Sequence, residues 1–118
     1  MNTITTILAI LVALEHLYIM FLETIATSSK STSRVFGIST EQLKDKTIAT
    51  LLKNQGVYNG LIAVLVFVAA WQQNLLWTQL LLGYVVLVAL YGSLTSKPSI
   101  IIKQSGLAIL GLICSFFI

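Results

Sequence analysis

Charge is what this chain lacks. Only 9% of its 118 residues are Asp, Glu, Lys or Arg, while 57% are hydrophobic. A soluble domain carries roughly 25% charged residues, so the long apolar stretches here are expected to face lipid. A single cysteine, Cys114, excludes any intramolecular disulfide. The one proline, Pro98, stands where a helix can begin, because its missing N–H would be unbonded there anyway. No glycine-rich nucleotide loop, zinc-ligand spacing or nucleophile motif occurs, so the sequence indicates no metal and no cofactor. The net charge of +3 is carried by basic residues that flank apolar stretches. That arrangement suits membrane lipids as partners and not nucleic acid.

The basic residues are also missing from one side. Four stretches, roughly 4–26, 56–71, 75–94 and 100–118, have about the 17–25 residues that cross a bilayer as helix. Lys30, Arg34, Lys44, Lys46 and Lys53 fall between the first two, Lys97 between the last two, and Lys103 in the first turn of the fourth. The N-terminus, the turn at 72–74 and the C-terminus have no Lys or Arg. The positive-inside rule then puts both termini outside and both basic loops in the cytoplasm. The expected fold is an all-α, four-helix transmembrane bundle, one integral domain over residues 1–118 in the plasma membrane, with one long cytoplasmic loop. Residues 1–14 carry no basic residue, and Glu15, His16 and Glu23 interrupt the apolar run. The first span therefore reads as retained and not as a cleaved leader. Trp71 and Trp77 flank the 72–74 turn and mark the outer interface.

Between the first two spans, the Ser/Thr-rich run 27–33 reads as a loop. Ser39 followed by Gln42 has the spacing of a capping box, in which side chains and backbone amides bond reciprocally. A short helix is expected over 40–53, either lying at the interface or leading into the second span. Gly56 and Gly60, extended by Ala63, form a small-residue face, and Gly106 and Gly111 supply a second in the fourth span. Such faces let helix backbones approach closely in lipid, within the chain or between copies of it.

The polar residues inside the spans are the candidate site. Glu15, His16 and Glu23 lie in the first span, where an ionised side chain costs about 2.5–3.5 kcal/mol at the helix centre. His16, Met20 and Glu23 are spaced i, i+4, i+7 and share a face, whereas Glu15 points about 100° away from His16. Asn54, Gln55, Tyr58 and Asn59 open the second span, Tyr91 lies late in the third, and Gln104 lies early in the fourth. Glu23, Asn54, Gln55, Tyr58, Asn59, Tyr91 and Gln104 fall in the cytoplasmic half, so one polar cluster is expected there, with His16 and Glu15 beneath it, nearer the middle of the first span. The amides can equally be plain interhelical bonds, the tyrosines interface anchors, and Lys103 a snorkelling side chain. A histidine beside carboxyls suits proton transfer. One His and two Glu on a single helix do not converge on a metal.

Taken together, Glu15-His16 and Glu23 in a first span, then Arg34-Val35-Phe36-Gly37, then Asn54-Gln55-Gly56-Val57-Tyr58-Asn59-Gly60, resemble the small bacterial membrane proteins of domain-of-unknown-function family 1304. Tyr91-Gly92, and Gln104 with Gly106 and Ala108, fit the same pattern, so the resemblance covers essentially the whole chain. It implies a four-span bacterial integral membrane protein and carries over no catalytic role. The Ser/Thr content of 27–33 departs from the pattern, where more aromatic or apolar residues are expected. Three functions fit these residues. The first is transport or proton-coupled activity, for which four short helices would need a homo-oligomer to enclose a pathway. The second is an enzyme acting on a lipid-like substrate, with Glu15 or Glu23 and His16 as acid and base and Tyr58 and Asn59 as orienting groups. The third is a structural or accessory subunit.

Overall fold

A computed structural model describes residues 1–96 and 100–117, with the backbone alone for 100–104. The described residues are all-α, in six helices: α1 Thr3–Met20, α2 Lys30–Phe36, α3 Thr40–Leu43, α4 Lys46–Trp71, α5 Leu75–Thr95 and α6 Ile100–Ser115. Three stretches are long and apolar enough to cross a membrane: Thr3–Ile25, Lys46–Trp71 and Leu75–Thr95. The expected third span agrees to within a residue. Pro98 and Lys97 lie outside the described residues, as do the side chains of Lys103 and Gln104.

Two compact units form, Met1–Ala13 with Val64–Ile118, and Leu14–Ala63. In the first unit Asn2 joins two helix ends. Its Oδ1 accepts from the Thr5 amide at 2.7 Å, capping α1. Its Nδ2 donates to the carbonyls of Cys114 at 2.9 Å and Phe117 at 2.8 Å, which end α6. The turn after α4 is closed by the amides of Gln73 and Asn74 donating to Ala70 and Ala69, with Gln73 left-handed at φ 53°. That is a Schellman ending. Asn74 then caps α5 by accepting from the Trp77 amide at 3.0 Å. The Gln73 side chain donates to Thr6 Oγ1 at 3.2 Å. The start of α1, the α4–α5 turn and the end of α6 therefore meet at one end of this unit. Gly111 lets α6 approach closely: a Cβ there would lie 3.1 Å from Leu82 Cδ1 and 3.4 Å from Leu8 Cβ. At Gly106 a Cβ would meet no described atom within 4 Å. Among the described residues, a close approach of this kind is found at Gly111.

In the second unit the structure differs from the sequence reading in two places. The run 27–33 is not simply a loop, because Ser29 caps a helix that starts at Lys30 and ends at Gly37, left-handed at φ 66°. The capping box at Ser39 and Gln42 forms, but its helix stops at Leu43 and does not run to 53. Asp45 is the reason: its Oδ1 accepts from the amides of Thr47 at 3.0 Å and Ile48 at 3.1 Å and starts a new helix. That helix, α4, runs 26 residues without a break, so residues 46–53 are the helical lead-in to the stretch 56–71, one of the two readings the sequence offered. Leu22 and Leu43 are buried in this unit.

Candidate functional site in the second unit

The site grows from the end of α1. After Met20 the helix widens into a π turn over Phe21–Ile25, closed by the Ala26 amide donating to the Phe21 carbonyl at 2.9 Å. Single π turns inside α-helices recur at functional sites. Glu23 is in the middle of this turn and is entirely buried. The backbone around it is satisfied by the hydroxyls of the 27–33 run. Thr27 Oγ1 donates to the Glu23 carbonyl at 2.7 Å. Thr32, fully buried, brings its Oγ1 to 3.0 Å from the Leu22 carbonyl and 2.6 Å from that of Ala26. The one hydroxyl proton of Thr32 is shared between these carbonyls, so the Ser29 hydroxyl, 3.0 Å away, is the donor to Thr32 Oγ1. The Ser/Thr run 27–33 thus supplies hydroxyls that cap the end of the helix Thr3–Ile25.

Helix α4 approaches this turn through its glycines. A Cβ at Gly56 would overlap Thr24 Oγ1 and lie 3.1 Å from Glu23 Cβ. At Gly60 it would lie 2.6 Å from Met20 Sδ. The Gly56–Gly60 face is therefore used within the chain, against α1 and its π turn. One helical turn on from Gly56, Asn59 Nδ2 donates to Glu23 Oε1 at 2.7 Å. The other carboxyl oxygen, Oε2, is buried with no hydrogen-bond partner, and so is Thr24 Oγ1. The result is a carboxyl held in a known orientation by one amide, with its second oxygen open to a proton. Buried polar atoms without partners are uncommon and call for an explanation.

The remaining expected site residues divide clearly. His16 is buried, on α1 two turns before Glu23. Glu15 is part-buried, and its Oε1 is buried without a partner. Asn54, Gln55 and Tyr58 are exposed on α4 and make no bond to Glu23. Tyr91 belongs to the first unit, where it is 70% exposed. Among the described residues no three His, Cys, Asp or Glu side chains are grouped to hold a metal ion. The sequence reading missed the π turn, Thr24 and the capping role of Thr32. Only the capping had a visible signal, in the Ser29–Thr32 spacing.

A groove of about 370 Å³ lies in the first unit, lined by Leu65, Val68, Ala69, Gln72, Asn74, Trp77 and Leu81. Its lining has no acid and no histidine.

The chain is 55% identical over 121 residues to the uncharacterized protein YpaA of Lactococcus lactis subsp. lactis (strain IL1403), with 99% of this chain and 100% of that protein aligned. No solved structure matches it. The family model described as protein of unknown function (DUF1304) matches residues 10–116, and the chain belongs to that family.

Proposed function

We propose that this chain is a four-span protein of the bacterial plasma membrane in which Glu23 takes up and releases a proton, coupling proton movement to transport. The observation that carries this reading is the Glu23 carboxyl. It is fully buried in a membrane-length helix, held by Asn59 at 2.7 Å through one oxygen, with the other oxygen unpartnered. Ionisable groups at membrane depth are costly and usually mark ion or proton pathways. His16 lies about 11 Å up the same helix face by its rise per residue, and Glu15 lies at a similar height on a different face.

The topology half of the proposal rests on Asn2 and Gln73. Both ends of the chain and the α4–α5 turn meet at one end of the first unit, as an even number of crossings requires. With α6 as the fourth span, that end is free of Lys and Arg, and the positive-inside rule makes it the outer side.

The test is a pH-gradient assay in liposomes containing the purified protein. Wild type is expected to dissipate the gradient, alone or with a co-transported solute. Glu23→Gln, which preserves shape and can still accept from Asn59, is expected not to. Equal rates for the two proteins would remove the proposal.

A further inference from the structure

Three helices of the first unit meet around Gly111. A Cβ there would lie 3.1 Å from Leu82 Cδ1 on α5 and 3.4 Å from Leu8 Cβ on α1. One helical turn nearer the end where α1 and α5 begin and α6 stops are Thr5, Thr78 and Ser115. They share helix faces with Leu8, Leu82 and Gly111 respectively, at spacings of three, four and four residues. The three therefore form the next layer of the junction, and all are buried: Thr5 and Thr78 are 0% exposed and Ser115 is 2% exposed. Hydrogen bonds tie the layer together. Asn2 accepts from the Thr5 amide and donates to the carbonyl of Cys114, next to Ser115. Gln79 Nε2, next to Thr78, donates to Ser115 Oγ at 3.1 Å. The Ser115 hydroxyl donates in turn to the Leu112 carbonyl at 2.6 Å. The hydroxyls of Thr5 and Thr78 are the exceptions, since neither has a hydrogen-bond partner in the protein.

We infer that this layer is a binding site for one internal water molecule, which bridges Thr5, Thr78 and Ser115. Each threonine hydroxyl has a proton to donate, and Ser115 Oγ keeps one free lone pair after its two bonds. A water that accepts from both threonines and donates to Ser115 makes three bonds, the usual number for a buried water. It leaves no polar atom of the layer unpaired. A cation does not fit, because residues 1–13 and 64–118 contain no Asp or Glu to balance it, and an unpaired buried charge costs far more than a neutral molecule. An apolar occupant would leave both hydroxyls unpaired, which is destabilising. The layer beneath, with Leu8 and Leu82, offers water no side-chain partner. This site goes beyond the proton-exchange reading and is independent of Glu23, which belongs to the other unit.

Solid-state NMR of the full chain in lipid bilayers tests it, through magnetisation transfer from water. At short mixing times the Cβ protons of Thr5 and Thr78 are expected to receive magnetisation, and the methyls of Leu82, fully buried one turn beneath, are not. Thr5→Val keeps the shape of the side chain and removes one of the three partners, so Thr78 is expected to lose its transfer. Unfolding in SDS mixed micelles gives a second readout. Thr5→Val and Thr78→Val are each expected to lower the SDS fraction at the midpoint. The double variant is expected to lower it no further, because the shared water is already lost. No transfer to either threonine in the wild type overturns the inference, and so does a midpoint raised by either valine, since valine then relieves a hydroxyl that had no partner. Transfer at Thr78 that survives Thr5→Val, or midpoint losses that add, also overturns it, because the two hydroxyls would then not share one water.

Discussion

Replacing Gly56 by alanine probes the contact between α1 and α4 most sharply. The new methyl would overlap Thr24 Oγ1, which can rotate away. It would also stand 3.1 Å from Glu23 Cβ and 3.3 Å from Thr24 Cβ, which move only with the backbone. Overpacking of this kind costs about 1–3 kcal/mol. The better helix propensity of alanine returns roughly 1 kcal/mol. The net expectation is a loss of up to about 2 kcal/mol, with the Glu23–Asn59 bond lengthened. Two other glycines provide the scale. At Gly60 the obstacle at 2.6 Å is Met20 Sδ, the far part of a flexible side chain, so Gly60→Ala is expected to cost less. At Gly83 no described atom lies within 4 Å, so Gly83→Ala is expected to be neutral or stabilising. Unfolding in mixed micelles of rising SDS fraction, followed by circular dichroism, gives the order. The reasoning is refuted if Gly56→Ala is as stable as Gly83→Ala.

Thr32→Val keeps the shape of the side chain but removes the hydroxyl that serves the Leu22 and Ala26 carbonyls. Buried acceptors left unpaired cost about 1–3 kcal/mol, and hydrogen exchange near the π turn should speed up. Asp45→Ala removes the cap of α4, for an expected loss of about 0.5–2 kcal/mol in the same micelle titration. Gly37→Ala puts a side chain at φ 66°, a conformation that costs a non-glycine residue about 1–2 kcal/mol.

The long helices were legible because their signal is composition over 20 or so residues, which local detail does not disturb. Trp71, Gln72, Gln73 and Asn74 announced their turn through polarity, and Ser39 with Gln42 announced its capping box. Helix boundaries in the basic segment were harder. Asp45 starts α4 through two short bonds to amides, and nothing in the Lys-rich pattern around it marks a helix end at Leu43. The Ser/Thr run looked like a loop because these residues favour turns, yet the same hydroxyls cap helices when a chain end is near. In the site, helical spacing linked His16, Met20 and Glu23, and proximity in depth suggested Asn59. Depth alone also groups Asn54 and Tyr58 with Asn59, but depth ignores the direction a helix face points. The π turn has no sequence signal that spacing alone could read.

Isotope-edited infrared spectroscopy of the protein in bilayers, with Glu23→Gln as the reference, tests the central claim most directly. If Glu23 exchanges a proton, wild type shows a protonated carboxyl band that falls and rises reversibly as pH is stepped, and Glu23→Gln lacks it. Asn59→Ala should shift the same band, because Asn59 donates to that carboxyl. A wild-type spectrum indistinguishable from that of Glu23→Gln across the pH steps would contradict the account.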